Sequence, residues 1–93
     1  MPMKWTADKY TDKWGKRWTD YVSQAAGLDR ETRYVVQKTQ NPDGKDFIWL
    51  VWVIWSDDCY IGKDWIGSGF RTLAEAKEAA TLDYTAKLKA QVS

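Results

Sequence analysis

Residues 47–55 read Phe47-Ile48-Trp49-Leu50-Val51-Trp52-Val53-Ile54-Trp55, an unbroken run of apolar side chains. Most of these residues are β-branched or Trp, and turn-forming residues bound the run on both sides. The run is also too short to cross a bilayer as a helix, so it predicts a buried β-strand. Because side chains alternate along a strand, the run supplies large apolar residues to both faces of a sheet. The rest of the chain must therefore cover it.

The segments on either side of this run predict its two partners in an antiparallel meander. Residues 33–39 have the composition of a strand, and Asn41-Pro42-Asp43-Gly44 suits a type I turn that folds this strand onto the run. Ser56-Asp57-Asp58 predicts a second turn. Residues 59–62, extended as far as Ile66, then predict a third strand interrupted by glycine.

Helices are predicted on both sides of the meander. Thr11 is a suitable N-cap and Gly27 a suitable C-terminal residue for a helix whose apolar positions recur at spacings of three and four: Trp14, Trp18, Tyr21, Val22 and Ala25. Thr72 and Glu75 form a capping box that opens a second helix, which runs to about residue 90. Its apolar face consists of Leu73, Ala76, Ala80, Tyr84 and Leu88.

These elements predict one α+β domain over residues 1–93, in the order α-β-β-β-α, with a three-stranded antiparallel meander between an N-terminal and a C-terminal helix. Residues 1–10 are predicted to be a loosely held N-terminal arm. Helices of this length cover one face of a three-stranded sheet, so part of the other face is expected to stay accessible.

The composition argues against several functions. The chain has 14 Lys and Arg against 13 Asp and Glu, so bulk charge does not favour polyanion binding. It has no His and one Cys, Cys59, and therefore lacks the commonest general base, the commonest metal ligand and any internal disulfide. We expect no enzymatic activity, no metal and no cofactor. Residues 1–25 contain no apolar signal-peptide segment, which predicts a cytoplasmic protein without membrane contact.

The seven Trp residues are the one unusual feature of the composition. Exposed Trp is typical of protein interfaces. The sequence therefore predicts a small non-catalytic intracellular binding protein that acts through an aromatic-rich surface on a protein partner or on a second copy of itself. The candidate interface residues are Trp5, Trp49, Trp55 and Trp65. Compact domains of this kind are frequent among phage and mobile-element accessory or inhibitor proteins, which is one interpretation of its biological setting.

A nucleic-acid-binding module is the alternative, with Lys63, Arg71 and Lys77 as its candidate residues. The predicted element order, followed by Gly67-Ser68-Gly69 and Glu75-Ala76-Lys77-Glu78-Ala79-Ala80, resembles the double-stranded RNA-binding domain over residues 11–91. The resemblance implies phosphate contacts at the start of the last helix, where Lys77 matches the lysine cluster of that family. A carbohydrate-binding module, which needs coplanar exposed Trp on one sheet face, is a third hypothesis.

Overall fold

A computed structural model describes residues 3–40, 47–57 and 59–92, which form a five-stranded antiparallel sheet followed by one helix. The strands lie in the sheet in chain order, each paired with the next. Their bounds are β1 Thr6–Thr11, β2 Arg17–Gln24, β3 Glu31–Gln40, β4 Phe47–Ser56 and β5 Ile61–Phe70, and the helix α1 is Leu73–Val92. Within these described residues, no helix combines the length and the apolar character needed to cross a bilayer.

The predicted N-terminal helix is wrong, because β1 and β2 form a hairpin in its place. The turn at the hairpin tip explains the difference. Asp12 Oδ1 accepts the backbone N–H groups of Trp14 and Lys16, each at 2.9 Å. Gly15 follows at φ +82°, a left-handed conformation that glycine adopts without strain. The Asp-x-x-Gly sequence is therefore a turn, and residues 6–10 of the predicted arm lie in strand β1.

The apolar run forms β4, and its two predicted neighbours are confirmed. It pairs along its whole length with β3, and on its other edge with β5. β5 extends four residues beyond Ile66, the limit predicted for it, to Phe70. The turn at residues 41–44 and Asp58 of the second turn lie outside the described residues, whereas Asp57 Oδ1 accepts the N–H of Cys59 at 3.1 Å. The predicted meander is thus present, but inside a larger sheet, and the α-β-β-β-α order is wrong.

The core lies between α1 and one face of the sheet. Its largest fully buried side chains come from β3 and β4: Tyr34, Val36, Val51 and Val53. Ala76 and Ala80 of α1 are also fully buried, and their small size lets the helix lie close to the strands. The predicted apolar face of this helix is confirmed, since Tyr84 is buried with them and Leu73 and Leu88 pack at the margin.

The predicted cap of α1 is also confirmed. Thr72 Oγ1 accepts the N–H of Glu75 at 3.2 Å. The Glu75 carboxylate reaches back to the N–H of Arg71, at 3.2 Å, one residue before the usual capping-box partner. These bonds satisfy backbone donors that the first turn leaves without partners.

Polar contacts fix the C-terminal half of α1 to the sheet. Tyr34 Oη donates a hydrogen bond to Asp83 at 2.6 Å, and Tyr84 Oη donates one to the carbonyl of Ala26. Gln91 bonds the loop between β2 and β3 twice, donating to the carbonyl of Gly27 and accepting from the N–H of Asp29, both at 2.7 Å. The helix is thereby held over one face of the sheet only.

Candidate functional site

The sheet face turned away from α1, here called the open face, carries a row of apolar side chains across four strands. Register pairs Val22 with Val35, Val35 with Trp52, and Trp52 with Trp65. Because directly paired residues point to the same side of a sheet, these four form one line, the apolar row. Leu50 and Ile54 extend it along β4, on the same face. No described element covers this row.

The two Trp residues of the apolar row pack against each other edge to face. Their ring centroids are 4.3 Å apart and their planes make an angle of 87°. Lys63 Nζ lies 4.0 Å from the centre of the Trp52 ring. Trp65 is 50% exposed, and the buried Trp52 Nε1–H has no hydrogen-bond acceptor. The cover over Trp52 thus comes from side chains of its own face, with no second layer of structure.

Charged residues of opposite sign flank the apolar row on opposite sides. Arg33 and Lys63 both pair with Ile54 and lie on one side. Asp8 and Asp20 pair with each other and lie on the other side. Asp20 also accepts a hydrogen bond from Gln37 Nε2 at 3.2 Å. Like charges placed directly opposite in a sheet repel, so this acidic side would gain from a cationic partner.

Tyr10 borders the acidic side and is 43% exposed. Partial burial raises the pKa of its hydroxyl, and the nearby Asp20 carboxylate raises this pKa further. The neutral hydroxyl thus stays a hydrogen-bond donor throughout the physiological pH range. The open face therefore has an apolar centre, a basic side, and an acidic side edged by a hydroxyl group.

The structure divides the four predicted interface residues between the two faces. Trp65 lies on the open face, whereas Trp5, Trp49 and Trp55 pack against the core on the side of α1. The ring of Trp55 lies directly over Gly62, where an added Cβ would come within 2.2 Å of it. Trp52, which was absent from the predicted interface, takes their place beside Trp65.

The three basic residues predicted for nucleic acid are also separated. Lys63 lies on the open face, whereas Lys77 is on α1, with its Nζ 4.8 Å from the centre of the Tyr21 ring. Arg71 lies between β5 and α1, two residues before the helix begins. The element order that resembled the double-stranded RNA-binding domain is absent, because the segment before the meander is a β-hairpin.

Side chains that could hold a metal ion are not clustered in the part of the chain that the structure describes. No group of three or more Cys, Asp or Glu side chains is placed to hold a metal ion there. Cys59 is exposed in the turn before β5 and has no His to activate it, since the sequence contains none. Comparisons with protein-family models, curated proteins and solved structures found no match for this chain.

Proposed function

We propose that the protein is a non-catalytic binding protein whose open face docks onto a protein partner. The observation that carries this proposal is the apolar row, which lies uncovered across the sheet while α1 covers only the opposite face. Contiguous apolar surface of this kind is a liability for a protein that stays alone in water. Trp side chains at the centre of such a surface are typical anchors of protein interfaces.

The size of the open face fits a stable interface. Five strands spaced about 4.8 Å apart, with about eight residues each at 3.4 Å, present a surface of about 24 by 27 Å. That is roughly 650 Å² on each partner, close to the ~800 Å² per side of a standard interface. The face is thus large enough to support specific association without help from other surfaces.

The arrangement of charge favours a second copy of the chain as the partner. A two-fold axis that lies in the interface and runs across the strands reverses the two sides of the apolar row. This axis leaves the strand order unchanged, so Arg33 on β3 of one copy comes beside Asp20 on β2 of the other, whereas Lys63 on β5 lies three strands from Asp20. Such an interface is self-complementary, as an isologous dimer requires. It would also relieve the repulsion between the two Asp residues.

Sedimentation over a concentration series tests this proposal. We expect the wild-type protein to shift from monomer to dimer, and Leu50→Lys to remain monomeric. Leu50 lies on the open face near Asp20, so the new cation should not harm the fold. Leu82→Lys is the matched control, because Leu82 is 64% exposed on α1, away from the open face. A wild-type protein that stays monomeric, or equal effects of the two variants, would contradict a dimer through this face.

A further inference from the structure

A second surface, which extends from the β1–β2 hairpin and the start of β4 to α1, combines lysine and aromatic side chains. Lys16 Nζ lies 4.4 Å from the centre of the Trp18 ring and 4.9 Å from that of Phe47. Lys38 Nζ lies 4.6 Å from the centre of the same Phe47 ring and 5.8 Å from that of Trp49. Each of these lysines therefore contacts two rings, and both contact Phe47.

The contacts continue from Trp49 toward the beginning of α1. The centroids of Trp49 and Tyr21 are 6.2 Å apart. Lys77 Nζ lies 4.8 Å from the centre of the Tyr21 ring and 5.7 Å from that of Trp5. The complete series, here called the aromatic–lysine row, consists in spatial order of Trp18, Lys16, Phe47, Lys38, Trp49, Tyr21, Lys77 and Trp5.

The lysines of this row form no close ion pair with the described residues, although the charge of Lys16 contributes to the lowered pKa of Asp12. Among the ion pairs of the described residues, none includes Lys16, Lys38 or Lys77. Asp12, at one end of the row, is fixed by the indole N–H of Trp18 at 2.9 Å and by two backbone N–H groups. The Trp18 hydrogen bond is the main reason why the pKa of Asp12 is lowered. Three cations thus face solvent along a line of rings.

We infer that the aromatic–lysine row binds single-stranded nucleic acid, a second activity beyond docking through the open face. Proteins that bind unpaired strands combine cations that track the phosphates with rings on which bases stack. The row supplies both, and six of its eight members line a groove of about 370 Å³ between β2, the start of β4 and the first turn of α1. Several rings in succession fit a strand better than one mononucleotide.

The lysines that now lie over the rings need not block stacking. The contact between a lysine and an exposed ring contributes less free energy than a base stacked on that ring. The flexible lysine side chain also lets its ammonium group move to a phosphate. Phe47 is 41% exposed and is the most accessible ring of the row. A bound base would therefore replace the lysine on the ring, while the lysine moved to the phosphate.

Fluorescence anisotropy with a labelled oligothymidylate of about twelve nucleotides, within the site sizes of known single-strand binders, tests the inference. Three phosphate contacts predict a slope of about −2 for log affinity against log salt, which is a loss of roughly twenty-fold between about 50 and 200 mM. We expect a duplex of the same length, thymidine monophosphate, and vesicles containing phosphatidylserine to bind much more weakly.

Two pairs of variants locate the site. Lys16→Gln with Lys38→Gln should flatten the salt slope by about 1.4, whereas Arg30→Gln with Lys89→Gln, which removes the same charge at the other end of the sheet, should leave the slope unchanged. Phe47→Leu should weaken binding by at least about five-fold, and Tyr60→Leu, which removes an exposed ring outside the row, should not.

Four results would overturn the inference: no binding of the oligonucleotide at low salt, equal affinity for the duplex, equal affinity for the mononucleotide, or tighter binding to the vesicles. Equal effects of the row variants and their controls would also overturn it, because attraction would then come from net charge alone. Circular dichroism of each variant ensures that the comparison is made between folded proteins.

Discussion

The two faces of the sheet receive similar side chains from the same strand but have different surroundings. Along β4, Val51 and Val53 point toward α1 and are fully buried, whereas Trp52 and Ile54 point away and are only partly buried. Burial of apolar side chains on the face beneath α1, here called the covered face, therefore stabilises the fold of a single chain. Burial of apolar area lowers the free energy in folding and in association alike. The side chains of the open face can be buried to a comparable extent only when the protein associates with a partner. In the proposed dimer, burial on one face of β4 stabilises the fold and burial on the other drives association.

The sharpest test of this difference places the same charge at adjacent positions of β4. Val53→Asp would bury a carboxylate beneath α1, with an expected loss of at least about 4 kcal/mol that should abolish cooperative unfolding. Ile54→Asp would place the carboxylate on the open face between Arg33 and Lys63, so the fold should survive. Thermal melts followed by circular dichroism measure both. Similar melting temperatures for the two variants would show that the faces do not differ.

Gly62→Ala tests how tightly the covered face is packed. An added Cβ would lie 2.2 Å from the Trp55 ring, so the ring must move and we expect a loss of about 1–3 kcal/mol in the free energy of unfolding. Gly67→Ala is the control, because its Cβ would meet the Phe70 ring at 3.2 Å and require a much smaller shift. Denaturant titrations of both variants should rank them in this order, and the reverse order would contradict the packing described here.

Tyr34→Phe removes the hydrogen bond from the covered face to Asp83 of α1, and should cost about 1 kcal/mol at neutral pH. Burial, and then the bond to Asp83, raises the pKa of Tyr34 above its ordinary value near 10. The folded state therefore keeps a proton that the unfolded state loses, and this contribution to stability disappears as the pH rises above about 10. The wild-type protein should lose its advantage over the variant in that range.

The control for this measurement is Tyr60→Phe, since Tyr60 is 63% exposed. Its stability should follow the wild-type protein at every pH. A constant difference between Tyr34→Phe and the wild-type protein up to strongly alkaline pH would contradict the altered pKa.

The smallest expected effect concerns the start of α1. Thr72→Ala removes the acceptor for the Glu75 N–H and should cost about 1 kcal/mol or less, whereas Thr72→Ser should be nearly silent. Neither variant should change association through the open face, since the cap lies on the covered side. Denaturant melts combined with sedimentation separate the two effects, and weakened association with unchanged stability would contradict the division between the faces.

The parts of the fold that were predictable from the sequence have local causes. The run at residues 47–55 is apolar at every position, and the Thr72 and Glu75 pair marks a helix start by itself. Residues 11–27 carry two compatible signals, because Trp18, Tyr21 and Val22 suit a helical stripe as well as a strand. Pairing with β3, a contact between distant residues, decides in favour of the strand.

The candidate site was predictable only as an expectation that one sheet face stays uncovered. The side of the sheet that the helix covers decides which Trp residues lie on the open face. Alternation along β4 shows only that Trp52 points to the opposite face from Trp49 and Trp55. The structure places α1 over the odd-numbered positions of β4, which leaves Trp52 beside Trp65 on the open face. The aromatic–lysine row was even less accessible to sequence reasoning, since its members come from separate strands and α1.

Site-specific photo-crosslinking in the cell tests the central claim most directly. A photoreactive phenylalanine analogue at Trp65 samples the open face, and the same analogue at Leu82 samples exposed surface on α1. We predict one discrete crosslinked species from position 65, a second copy of the chain as identified by mass spectrometry, and none from position 82. Absence of a discrete product at position 65, or the same products at both positions, would contradict the assignment of the open face as the binding surface.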